Sequence, residues 1–217
     1  MQNDTLETDV KNAVEQGHDI QETVRQLTLR RISARSLDIE SLRQIAKSVL
    51  RGAKLGVQKE LNRSAAQTET AKAQLKQAVL GLDTALSTLA EASKLAIEEA
   101  TSRAQKFSDE DLSRARADLQ SLETILMETL HESVADAQDA ATEILHGIAE
   151  HSRTHGSIVG EKIKDALTVI AHQLGAAGHA QTAAGLHLAK ATGDIVRQIA
   201  AGMLTGIADH VKPSKKD

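Results

Sequence analysis

Apolar residues recur along this chain three and four positions apart, the spacing of a single helix face, and side chains that start and stop helices punctuate them. Asp4-x-x-Glu7 sets a hydrogen-bond acceptor three residues ahead of an acid that can reach back. It predicts a first helix carrying Leu6, Val10, Ala13 and Val14 and stopping at Gly17. Asp19-x-x-Glu22 opens a second, with Ile20, Val24, Leu27 and Ile32, so residues 1–37 read as a short helical pair. Residues 38–107 contain no proline and only Gly52, Gly56 and Gly81 as weak points, which predicts one long helix. Unbroken at 1.5 Å per residue, it would run on the order of 100 Å. Gln58–Thr70 is polar nearly all round, a solvated or frayed stretch. From Leu75 onward the row Leu75, Val79, Leu82, Leu86 and Leu89, flanked by Ala78, Ala85 and Ala92, is a heptad seam suited to left-handed packing on another helix.

Beyond a corner at Phe107 and Ser108, where Ser108-x-x-Asp111 opens a further helix, the period lengthens. Residues 108–211 predict long amphipathic helices with an 11-residue repeat. Leu119, Leu122, Leu126, Leu130, Val134, Ala137, Ala141, Ile144 and Ile148 share one face. The break near His155, Gly156 and Ser157 allows a turn or a kink. Later blocks begin at Ile163, Leu174, Gly185 and Val196, with a partial one at Ile207. Their first, fourth, fifth and eighth positions include Ile163, Leu167, Ile170, Leu174, Leu188, Val196, Ile199 and Met203, and of the 16 positions only Gln181 and Thr192 are polar and none is charged. A period of 11 residues, 3.67 per turn, keeps such a stripe on one side of a long helix. Residues 212–217 read as a basic, disordered tail with Lys212, Lys215 and Lys216.

Composition thins the core that these helices can build. Hydrophobic residues are 41% of 217, with 34 Ala, one Phe, one Pro, and no Trp, Tyr or Cys. Helix seams of Leu, Ile, Val and Ala must then do the packing that aromatic rings supply elsewhere. Without cysteine, a disulfide framework, a thiolate metal site and a cysteine nucleophile are excluded. A net charge of −4 and the lack of stacking aromatics argue against nucleic acid as a partner. The acidic start Met1–Glu7 has neither part of a secretory signal, so the expected location is cytoplasmic, with peripheral placement on granules or membrane. Ala166–Ala189 is free of Asp, Glu, Lys and Arg for 24 residues, yet its histidines, glutamines and glycines make it a poor spanning helix.

Leu75–Ala100 (LKQAVLGLDTALSTLAEASKLAIEEA) and Leu174–Gly206, Ala-rich amphipathic units nearly without aromatics, resemble the phasins that coat bacterial polyester storage granules and, more distantly, the exchangeable apolipoproteins. The resemblance covers roughly the last two thirds of the chain and rests on composition and period. It implies an all-α protein, an elongated bundle or coiled-coil-like hairpins, that adsorbs on a hydrophobic polymer or lipid surface and self-associates as a homo-oligomer through coiled coils. The 11-residue stripe is the expected adsorbing face and the heptad row from Leu75 to Leu89 the expected self-association seam. Two alternatives remain: a helical protein in which Ile158–Met203 inserts into a bilayer, and a plain bundle that buries the same stripes against itself.

Candidate chemistry is sparse, and the expectation is a non-enzymatic chain with no cofactor, catalytic group or metal. Eight of the nine histidines lie between His131 and His210. Glu128-x-x-His131 and Glu143-x-x-His146 have a spacing that serves di-iron sites, but on one continuous helix they would stand about 22 Å apart. His151 and His155 lack a third ligand, and His172, His179 and His187 border the stripe, where titration could tune association. Gly52-x-x-x-Gly56, Gly156-x-x-x-Gly160 and Gly202-x-x-x-Gly206 would let helix backbones approach closely. Arg25, Arg30, Arg31 and Arg35 form a basic corner.

Overall fold

The computed structural model describes residues 2–33, 38–61, 65–102, 109–135 and 140–177. They form seven helices and no strand: α1 (Gln2–Gln16), α2 (Ile20–Ser33), α3 (Ile39–Leu61), α4 (Ala65–Ser102), α5 (Asp109–Ala135), α6 (Ala140–His155) and α7 (Ile158–Ala177). The all-α bundle expected from the periodicity is what the chain builds, and α4, with 38 residues, makes it elongated at about 57 Å by the helical rise.

Three antiparallel hairpins stack side by side. Gly17 adopts φ +71° and its amide bonds back to the carbonyls of Ala13 and Val14, which closes α1 at the glycine that the sequence marks as its end. Asp19 is left-handed as well, at φ 48°, and α2 starts immediately after it. α1 starts two residues earlier than the Asp4 signal predicts. α3 is opened by Asp38, whose carboxylate accepts from the Ser41 amide and hydroxyl at 2.7 Å each.

Cross-helix contacts fix the directions. Glu7 and Val10 meet Gly52, and Lys11 and Val14 meet Gly56, so α1 runs parallel to α3. Gly17 beside Gln74, and Gln21 with Val24 beside Gly81, set α2 parallel to α4. Ion pairs Arg43–Glu128 and Lys47–Glu132, both 2.8 Å, align α3 with α5. α7 runs along α4 and against α5, because Ile158 and Val159 sit at Asp83, Lys162 pairs with Glu91, and Ser157 reaches Glu123.

Two expected long helices are each divided. Where residues 38–107 predict one helix, α3 ends at Leu61 and α4 begins at Ala65. The physical reason lies in Gln58–Thr70: with no apolar face to offer, that stretch gives nothing for a continuous rod to bury. Folding back instead puts Leu42, Ile45, Val49 and Val57 of α3 in one core with Leu75, Leu82 and Leu86 of α4. The helix expected beyond Ser108 divides likewise, α5 ending at Ala135 and α6 starting at Ala140, around polar Asp136, Gln138 and Asp139. The break at Gly156 is a two-residue non-helical joint, with that glycine at φ +85°.

The core is aliphatic throughout. Among the described residues Ile20, Leu50, Leu75, Leu82, Leu86, Leu112, Ile125, Leu126, Leu130, Leu145 and Ile170 are its largest fully buried side chains, and Ala46, Ala53, Ala71, Ala78, Ala85 and Ala90 are sealed between helices. Small residues at the crossings let backbones come close, which compensates for the absence of rings. A methyl group built on Gly56 would lie 2.6 Å from Val14 Cβ, one on Gly81 2.9 Å from Val24 Cβ, and one on Gly52 would fall on the Glu7 carbonyl oxygen. The Gly52-x-x-x-Gly56 pair is therefore a packing device between α1 and α3.

Candidate functional site

The heptad row lies inside the chain. Leu75, Val79, Leu82, Leu86 and Leu89 are all buried in the common core, and Ala78, Ala85 and Ala92 with them. These four leucines and one valine pack against the chain's own helices, so the seam expected to meet a second copy is closed by α2, α3 and their neighbours. The reason is the division of the long helix, which supplies an intramolecular partner for every heptad face.

The first block of the 11-residue stripe is also internal. Ile163, Ala166 and Ile170 of α7 are buried in the groove between α4 and α5, with Leu167 half-buried at its edge. Leu174 lies in the last turns of α7, and its side chain is outside the described set, as are Leu188, Val196, Ile199 and Met203, the tail 212–217, Gly202-x-x-x-Gly206, Arg35, Phe107, His179 and His187. No described helix is long and apolar enough to cross a membrane. Exposed large apolar side chains are scattered singly at Leu55, Leu95 and Ile158.

α6 brings the histidines of the two Glu-x-x-His motifs closer than a continuous helix would. Folded back along α5, it puts both His131 and His146 within electrostatic reach of Glu150, correcting the expected 22 Å separation. Glu128 is engaged by Arg43, and Glu150 by Arg153 at 2.8 Å, which holds the Glu150 carboxyl below the usual range. His151 and His155 stack with ring centroids 4.3 Å apart, and His155 Nδ1 lies 3.2 Å from the His151 carbonyl. Among the described residues no three potential ligands converge on a metal position. At the basic corner Arg25 is neutralised by Glu22 at 2.6 Å, Arg30 is exposed, and Arg31 keeps Nε and Nη2 buried without a hydrogen-bond partner.

The most distinctive polar arrangement is one that the sequence analysis misses. Asp83 of α4 is 5% exposed and accepts the first two amides of α7, Oδ2 from Ile158 at 2.9 Å and Oδ1 from Val159 at 2.8 Å. Ser157 Oγ accepts the Gly160 amide at 3.1 Å and donates to Glu123 Oε1 of α5 at 3.4 Å. Two carboxylates from two helices thus gather at the positive end of a third. Burial pushes the Asp83 carboxyl above the ordinary aspartate range, the amides of Val159 and Ile158 oppose that, and Glu123 adds to it. A signal was present: Asp83 is the sole charge between Lys76 and Glu91, in the middle of a leucine seam. At the other end of α7 an open groove of about 530 Å³ is lined by Arg116, Leu167, Thr168, Ile170, Ala171 and His172.

A family of unknown function, DUF6781, matches residues 1–213. The chain belongs to that family. No curated protein and no solved structure matches it. Membership in DUF6781 thus spans the bundle and the C-terminal repeats together, and a functional reading has to come from the chain's own chemistry.

Proposed function

We propose that this member of DUF6781 is a non-enzymatic, phasin-like adsorbing protein. In this reading the helical bundle is the head, and the stripe from Leu174 to Met203 is the face that meets a hydrophobic surface, polymer or lipid. The observation that carries it is the continuity of the stripe. Ile163, Ala166 and Ile170 show that its first block is apolar enough to be buried. The next three blocks repeat the pattern in register, with Leu174, Leu188, Val196, Ile199 and Met203 and no charge at any stripe position. A face of that length without a charge calls for a cover. Helices α1 to α6 already bury their own apolar rows in one core, which favours a partner outside the chain. Lys212, Lys215 and Lys216 would add attraction to an anionic surface.

Flotation tests the reading. The purified chain is offered polyester granules, anionic liposomes or buffer alone, and is expected to rise with at least one of the two surfaces and to stay at the bottom in buffer. Remaining at the bottom in all three arms would overturn it and favour the plain bundle.

A further inference from the structure

We propose that α7 is a hinged arm, latched to the bundle by the Asp83 carboxylate and able to undock as an intact helix about Gly156. Four observations converge on this. The first is where the cap comes from. A helix capped by its own preceding residue carries that cap wherever it goes, but the acceptors for Ile158 and Val159 belong to α4. Those two hydrogen bonds exist while α7 is docked and break when it leaves.

The second is that α7 keeps a cap of its own. Ser157 Oγ accepts the Gly160 amide from within the arm, so the released segment retains a local start and has no need to unravel. The third is the joint. Gly156 and Ser157 are the two non-helical residues between α6 and α7, Gly156 is exposed at φ +85°, and a methyl group built there would meet nothing within 4 Å. Nothing packs against the joint at that point.

The fourth is the seam on which the arm rests. The face of α4 that carries Asp83 continues at i+4, i+7 and i+11 through Ser87, Ala90 and Lys94, small or polar residues, before it meets a large apolar one at Ile97. Among the described residues one ion pair, Lys162–Glu91 at 3.1 Å with both partners more than a third exposed, holds the flank. Exposed pairs of this kind hold little. The groups facing Asp83 are the Glu123 carboxylate from α5, the Ile158 and Val159 amides and, through Glu123, the Ser157 hydroxyl. No cation is among those that act on it. Burying an aspartate beside a second acid sets a desolvation cost against the two amide bonds of the latch, so it holds the arm less firmly than two uncontested hydrogen bonds would. That Asp83 holds its proton unusually tightly agrees with this strain.

Undocking would bring Val159, Ile163, Ala166 and Ile170 into solvent on the same helical stripe that continues through Leu174. The device requires no knowledge of what the stripe binds, and its test contains no surface.

The chain has no cysteine, so single thiols report opening without background. Ala166→Cys and Ala53→Cys place one thiol in the arm and one in α3, both at sites with no exposed area. With a fast aromatic disulfide reagent at neutral pH, Ala166→Cys should react about tenfold or more faster than Ala53→Cys, because the arm opens without the bundle. Adding Asp83→Ala should accelerate Ala166→Cys about ten- to a hundredfold, as two amides lose their acceptor in the docked state, while Ala53→Cys, which needs the bundle itself to open, stays about tenfold or more slower than Ala166→Cys. Asp83→Asn keeps one acceptor oxygen and should fall between. Equal rates for the two thiols in the otherwise unaltered chain, or no acceleration of Ala166→Cys by Asp83→Ala, would overturn the proposal.

Discussion

Asp83 and the crossing glycines carry the sharpest consequences at the scale of single residues. A carboxyl with its native pKa raised is bound to its proton more tightly in the folded chain than in the unfolded one. The proton-linked part of its contribution is complete below the ordinary aspartate range, about pH 4, and is lost as pH rises through the elevated native value, while the two amide bonds remain. The difference in thermal midpoint between the native chain and Asp83→Asn should therefore shift in the native chain's favour as pH falls from about 7 to 4.5. Melting curves at several pH values check this, and a difference constant with pH would contradict it. Asp83→Ala should lower stability by about 1–3 kcal/mol at neutral pH, through the buried amide of Val159 above all. Glycines make a second comparison. Gly147, mid-α6 and with open space where a methyl would go, should gain up to about 1 kcal/mol on replacement by Ala. Gly52→Ala should instead lose about 1–3 kcal/mol, since the methyl lands on the α1 backbone. Denaturant midpoints for the two variants should move in opposite directions.

At the scale of elements, periodicity reveals helix faces and says little about partners. The caps at Gly17 and Asp19, the burial of Leu75 to Leu89 and the helix break at Gly156 are legible because each is a local property of a few residues. The divisions at 61–65 and 135–140 are not, because a polar stretch reads the same whether it is a solvated span of rod or the apex of a hairpin. What decides between them is the availability of a covering face tens of residues away, as when Leu42, Ile45 and Val49 of α3 meet the rows of α4. Asp83 escaped for a related reason: a lone acid in a leucine seam declares that it has a partner, and the partner is a helix end 75 residues later. Because the heptad row is covered by the chain itself, replacing Leu82, Leu86 and Leu89 together with Lys should unfold the bundle. Circular dichroism and sedimentation should show lost helix. A folded chain whose only change is a smaller oligomeric mass would return the row to the surface.

For the whole molecule, the apolar rows of α1 to α7 close on one another in a core without rings, and the proposed destination of the stripe beyond Ile170 is a surface outside the chain. Charging each part separately tests that division most directly. Ile163→Glu, in the buried block at 3% exposure, should lower the melting temperature through an unpaired buried carboxylate. Leu188→Glu with Ile199→Glu should abolish flotation with the surface that the unmodified chain binds, while the melting temperature stays within about a degree or two of its original value, as for exposed substitutions generally. A large drop in melting temperature for the Leu188 and Ile199 pair, with flotation retained, would place those residues in the internal core and contradict the account.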